Sequence, residues 1–174
     1  MKRMLLTIFF AVCLTAAPAL AGPPLVCHAI DIGTATSLPW SSGSGWNGAQ
    51  GSYDLSHLGD DMFALLTPAM PIDVRRETLR RAVIYSASEP SLADTLTRRL
   101  VAKANDAQAA GKPDPLAWFD AGYFVATRRQ AAALYPMLRS AEEPDGLAWI
   151  EKAIAMGGRG MEPAAALVEA GRPR

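Results

Sequence analysis

The chain has 174 residues, with 17 basic and 17 acidic side chains, and half of its residues are hydrophobic. That length suits one domain. A formal net charge of zero gives no electrostatic footprint for nucleic acid or an anionic membrane surface, and two cysteines exclude a disulfide-rich scaffold.

Lys2 and Arg3 precede an apolar run from Met4 to Leu14, broken only by Thr7, and then the small-residue site Ala19-Leu20-Ala21. This is the layout of a secretory signal peptide over residues 1–21, cleaved after Ala21. The run is too short to cross a bilayer, which takes about 20 apolar residues. The protein is therefore expected in the periplasm or outside the cell, with no membrane span after cleavage. A retained anchor is the alternative, and a lipidated Cys27 is disfavoured by the large Val26 before it. Cleavage removes Lys2, Arg3 and Cys13, so the mature chain carries 15 bases against 17 acids and a single thiol, Cys27. A lone cysteine in an exported protein is a buried small side chain, an intermolecular link or a ligand.

Residues 22–56 read as an extended arm followed by a long loop. The arm is Pro23 to Gly33, with Ile30 and Ile32 alternating. From Thr34 to Tyr53 the composition is Gly, Ser and Asn, the chemistry of a loop, punctuated by Trp40 and Trp46. Two tryptophans argue against plain disorder.

Residues 57–171 read as helices, with a frayed tail over 172–174. Leu58, Met62, Leu65 and Leu66 share one helical face, with Ser56 as the expected N-cap. A second helix is expected from Asp73 to Ala87, with Arg75, Arg76, Arg80 and Arg81 on its solvated side. A third starts at the Ser91-Leu92-Ala93-Asp94 capping box and stops at Gly111, a natural C′ residue. Asp114 and Pro115 open a fourth, Leu116 to Val125 and beyond, apolar over so wide an arc that neighbours are expected on two sides. It ends either near Arg128-Arg129 or before Pro136. A fifth runs from Glu142–Asp145 to Gly157, and a sixth from Glu162 to Ala170.

Leu116-Ala117-Trp118 returns as Leu147-Ala148-Trp149, 31 residues on, and Ala131–Leu134 returns as Ala164–Leu167, 33 residues on. Periods of this size belong to helix-pair arrays. Trp118, Ala121 and Gly122 resemble tetratricopeptide and Sel1-like spacing, whereas Leu134 and Ala153 depart from it. The resemblance implies a right-handed all-α array of helix pairs. Mid-helix Gly122 has a physical rationale in the close approach of a neighbouring helix, since glycine there otherwise costs about 1 kcal/mol. The runs Cys27–Gly33, Ser37–Trp40, Leu65–Pro68 and Glu77–Ala82 also resemble a group of small exported bacterial proteins. That resemblance implies no activity.

Chemistry-bearing residues gather in the N-terminal third. Cys27, His28 and His57 are the mature chain's only residues of their types, with Asp31, Asp54, Asp60 and Asp61 near them in sequence. Thiolate, imidazole and carboxylate suit Zn²⁺. Against this, neighbours on an extended strand point to opposite faces, and no C-x-x-C or H-E-x-x-H motif is present. A Cys27/His57 nucleophile–base pair needs a proximity the sequence does not supply. C-x-x-C-H, G-x-S-x-G and Walker patterns are absent, and Ser44–Gly48 lacks the helix context for phosphate.

The favoured reading is an exported, non-enzymatic binding or scaffold module for a peptide or protein. Arg76, Arg80 and Arg128 would line its groove, with Trp40 and Trp46 as aromatic anchors. The alternatives are a metal-binding or thiol-dependent enzyme using Cys27, His28 and His57, and a structural protein that oligomerises through Cys27.

Overall fold

The computed structural model describes residues 22–42, 45–142 and 144–172; residues 1–21, expected to be a signal peptide, lie outside them. Among the described residues there are seven α-helices, three 3-10 turns and no strands. The all-α expectation holds. No helix among these residues is long and apolar enough to cross a membrane.

The helices are α1 (Pro24–Cys27), α2 (Leu58–Leu65), α3 (Ile72–Tyr85), α4 (Pro90–Ala109), α5 (Pro115–Ala131), α6 (Gly146–Ala155) and α7 (Glu162–Ala170). Several of their ends follow from local chemistry. The Asp114 carboxylate accepts from Leu116 N, and the Asp145 carboxylate accepts from Leu147 N and Ala148 N. Each thereby satisfies donors that the first turn leaves orphaned. At the end of α4, Gly111 takes φ +67°, while Lys112 N bonds Ala107 O and Gly111 N bonds Gln108 O. That is a Schellman stop, which needs a residue free to enter the left-handed region.

Three starts differ from the sequence reading. The α2 region opens on Asp54, not Ser56: the Asp54 carboxylate accepts from Ser56 N and caps a 3-10 turn, Leu55–His57, that feeds the helix. Pro90, not the Ser91 capping box, opens α4, because a missing N–H is harmless at N1. In the arm, Pro24 starts a single helical turn where extension was expected.

α5 is the axis of the fold. Every residue from Ala117 to Arg128 is buried, as the wide apolar arc anticipates. Phe119, Tyr123 and Phe124 are among the largest fully buried side chains. Burying a large apolar side chain contributes about 1.5–3 kcal/mol, so this helix carries a large share of the core. α3, α4, α6 and α1 pack around it. The closest approach is to α6, where a Cβ on Gly122 would meet Gly146 O at 2.6 Å and a Cβ on Gly146 would meet Gly122 O at 2.5 Å. Only glycine facing glycine admits two main chains this near.

Candidate binding surfaces

The arginines of α3 lie inside, not on a solvated face. Arg75 and Arg80 are among the largest fully buried side chains, Arg76 is buried, and Arg81 is mostly covered. This corrects the expectation for Arg75, Arg76, Arg80 and Arg81. The physical reason is that the arm and loop lie over this face and their main-chain carbonyls need donors. Arg80 Nη1 donates to Val26 O at 2.7 Å and to Trp46 O at 2.9 Å, and Arg81 Nη1 donates to Leu38 O at 2.8 Å. Ile30 N donates to Glu77 Oε2 at 3.1 Å, and Tyr85 OH donates to Pro39 O at 2.5 Å.

Glu77 holds both arginines, Arg80 at 2.8 Å and Arg81 at 2.9 Å. Burial pushes its carboxyl upward, but hydrogen bonds and charge from Arg80 and Arg81 outweigh that and hold it below the usual range. Arg75 is ion-paired to Asp120 of α5 at 2.6 Å and also donates to Thr67 O. Asp120 is wholly buried, and burial pushes its carboxyl up to about 6 against the pull of Arg75. Arg76 pairs with Asp73 at 2.9 Å and lies over the Tyr123 ring.

The predicted peptide grip is therefore filled by the chain's own residues 26–40 and Trp46. Trp40 closes it: Arg80 and Arg81 each lie 5.2 Å from its ring, and Tyr85 meets it edge-on at 5.8 Å. The loop turns back tightly over this ring, with Ser41 N bonding Gly48 O, and a Cβ on Gly48 would lie 2.5 Å from Trp40 Nε1. Arg128 is likewise engaged: it donates to Leu138 O and Thr97 Oγ1 and pairs with Asp94 at 2.6 Å. Arg76, Arg80, Arg128 and Trp40 are thus committed to internal partners.

Cys27, His28 and His57 are not brought together as a metal centre. Among the described residues no group of three His, Cys, Asp or Glu side chains is placed to hold a metal ion. His57 is exposed and lies 3.7 Å from Asp54. Cys27 is half-buried with its Sγ beside Gly22, and burial pushes its thiol up despite Arg80. A raised thiol is a weaker nucleophile and ligand.

Trp46 points elsewhere, to a second concavity. Its ring meets Tyr135 edge-on at 6.2 Å. Asn47 Nδ2 donates to Tyr135 OH at 3.1 Å, and Gln50 N donates to Tyr85 OH at 3.1 Å. With Tyr53 packed 4.8 Å from Tyr85, the side chains of Asn47, Gln50, Tyr53, Tyr85 and Tyr135 wall a cleft of about 460 Å³ between the loop, the end of α3 and the 3-10 turn Pro136–Leu138. Tyrosines are the only titratable side chains lining it. Met137 on its wall and Leu134 nearby are the exposed large hydrophobic side chains among the described residues, at 60% and 40%. Sequence reasoning missed Tyr53, Tyr85, Tyr135 and Met137. The available signal was the cluster Leu134-Tyr135-Pro136-Met137, apolar residues in a segment that proline keeps out of a helix.

A third concavity of about 390 Å³ lies where the ends of α5 and α7 meet the start of α6. Arg129, Gln130, Arg139 and Arg172 stand among Pro23, Ala126, Leu147 and Val168. Arg172, expected in the frayed tail, is held by Asp145 at 2.7 and 2.9 Å; the last two residues lie outside those described.

Compared with known proteins, the chain matches no protein-family model, no curated protein and no solved structure.

Proposed function

We propose that this protein is an exported, non-enzymatic binding or scaffold module that takes a peptide or protein partner in the tyrosine cleft. The observation that supports the reading most is that exposed Met137 lines a cleft whose walls carry no charged side chain, with exposed Leu134 three positions before it in the chain. Aromatic, thioether and leucine side chains that remain accessible beside a concavity are the residues that anchor partners. Trp46 keeps a role here as the wall behind Tyr135, whereas Trp40 and the arginines of α3 and α5 shape the surface from below.

The layout of residues 2–21 supports export. The twin Asp-capped starts of α5 and α6, with Trp118 and Trp149 edge-on at 6.0 Å, support an ancestry in helix pairs. The right-handed array and the kinship with small exported proteins belong to the same proposal.

The test uses a synthetic library of fluorescein-labelled decapeptides, charged and uncharged, screened by anisotropy against the full chain. Peptides carrying aromatic or aliphatic residues are expected to bind, and Met137→Glu is expected to weaken them about tenfold or more. Because Met137 is exposed, the circular dichroism spectrum of the variant should match wild type. Absence of any binding peptide, or equal binding by the Met137→Glu protein, would overturn the reading.

A further inference from the structure

The concavity at the start of α6 has a chemistry unlike the tyrosine cleft. Its walls are largely apolar, with Ala126, Leu147 and Val168 among them, yet three guanidinium groups reach it. Its volume of about 390 Å³ lies within the range of small-molecule sites, about 300–1,000 Å³.

The charge balance decides what kind of ligand fits. Arg172 is neutralised by Asp145 at 2.7 Å and also reaches Glu169 at 3.4 Å. Arg129 is engaged as well. No carboxylate of the described residues pairs with exposed Arg139. Arg139 is thus the guanidinium left for a ligand, and a single such group suits a monoanion.

A second donor faces the same space. Gln130 is nine-tenths buried, and its Oε1 accepts from Leu25 N at 2.9 Å. That bond orients the amide so that Nε2 is the remaining end, beside Gly171 in the cavity wall. No acceptor among the described residues meets it. An amide donor in the cavity wall, together with a guanidinium in the same lining that no carboxylate neutralises, is an arrangement that a carboxylate satisfies. The apolar walls then suit a hydrocarbon body.

We propose that this cavity binds a small amphiphilic carboxylate, its acid head between Arg139 and Gln130 and its hydrocarbon tail against Ala126, Leu147 and Val168. The site stands apart from the tyrosine cleft and does not depend on it.

The test is isothermal titration calorimetry of the full chain with decanoate, decanol, decylamine and acetate. Decanoate is expected to bind at least tenfold more tightly than each of the other three. Arg139→Ala, at an exposed position, is expected to cost about tenfold, and Arg139→Lys less. Ala133→Phe, on the exposed rim, should fill the mouth and abolish binding. Equal binding of decanol would remove the role of the acid. Equal binding of acetate would reduce the site to a bare anion contact. Decanoate binding that survives both Arg139→Ala and Ala133→Phe would place the ligand elsewhere. Each of these results, like no binding at all, would overturn the proposal.

Discussion

Gly122→Ala sets two effects of opposite sign against each other. In a helix interior alanine is favoured over glycine by about 1 kcal/mol, so propensity alone predicts a more stable protein. In the structure a Cβ at this position would lie 2.6 Å from Gly146 O, 2.9 Å from Ile150 Cγ1 and 3.0 Å from Ile150 N. Ordinary contact begins near 3.4 Å, so the first turn of α6 must retreat by about 0.8 Å. The nearest atom is main chain, and no rotamer change relieves it. Retreat loosens Leu147, Ile150 and Ala153, all buried in the shared core. Overpacking costs about 1–3 kcal/mol. Taking the upper end for a main-chain overlap, less the gain in propensity, leaves a net loss of about 2 kcal/mol. Urea denaturation followed by tryptophan fluorescence reads this directly, because Trp118 and Trp149 meet at 6.0 Å across the same interface. The midpoint should fall with the m-value unchanged. A midpoint above wild type would show that propensity wins and that α5 and α6 are not pressed together at Gly122.

Two further outcomes test the buried charges. Arg80→Met removes the donor to Val26 O and Trp46 O and leaves Glu77 with Arg81 as its one ionic partner among the described residues. Breaking a buried pair from one side costs about 3–5 kcal/mol, and limited proteolysis should begin to cut within residues 28–53; an arm as protected as in wild type would contradict its seat on α3. Asp120 has a carboxyl raised from 3.8 to about 6, so the native state holds that proton more tightly than the unfolded chain. The sign follows: this group's contribution to stability is fully present below about pH 4 and is lost as pH rises to about 6, by about 3 kcal/mol. The wild-type minus Asp120→Asn difference in unfolding free energy, measured from pH 4 to 7, should therefore fall across that window. A flat difference would show that Arg75 compensates fully for burial.

Much of the architecture was legible along the chain because local chemistry dictates it. Helix spacing marks α2 to α7, Asp114 and Asp145 announce their starts, and Gly111 announces a stop. Even the approach at Gly122 is foreshadowed, since an interior glycine needs a reason. The site was less legible, because amphipathic reasoning assigns arginine to water. That rule fails on α3, where Arg75 and Arg80 are buried by pairing with Asp120 and Glu77 and by serving arm carbonyls. A hint was present in Asp120, a single acid inside an apolar helix, which needs a cation when that helix is surrounded.

Two of the chain's properties are thus set by neighbours a few residues apart: an all-helical fold, and the caps that punctuate it. Hydrogen bonds between residues two to five apart suffice for these. The identity of the accessible surface is different. Whether Arg80 meets a ligand or the chain's own carbonyls depends on where Val26 and Trp46 lie, 54 and 34 positions away. Likewise Tyr53 from the loop, Tyr85 from the end of α3 and Tyr135 from beyond α5 form a cleft only after α3 and α5 have packed. Such contacts are long-range, and the tertiary structure alone decided them.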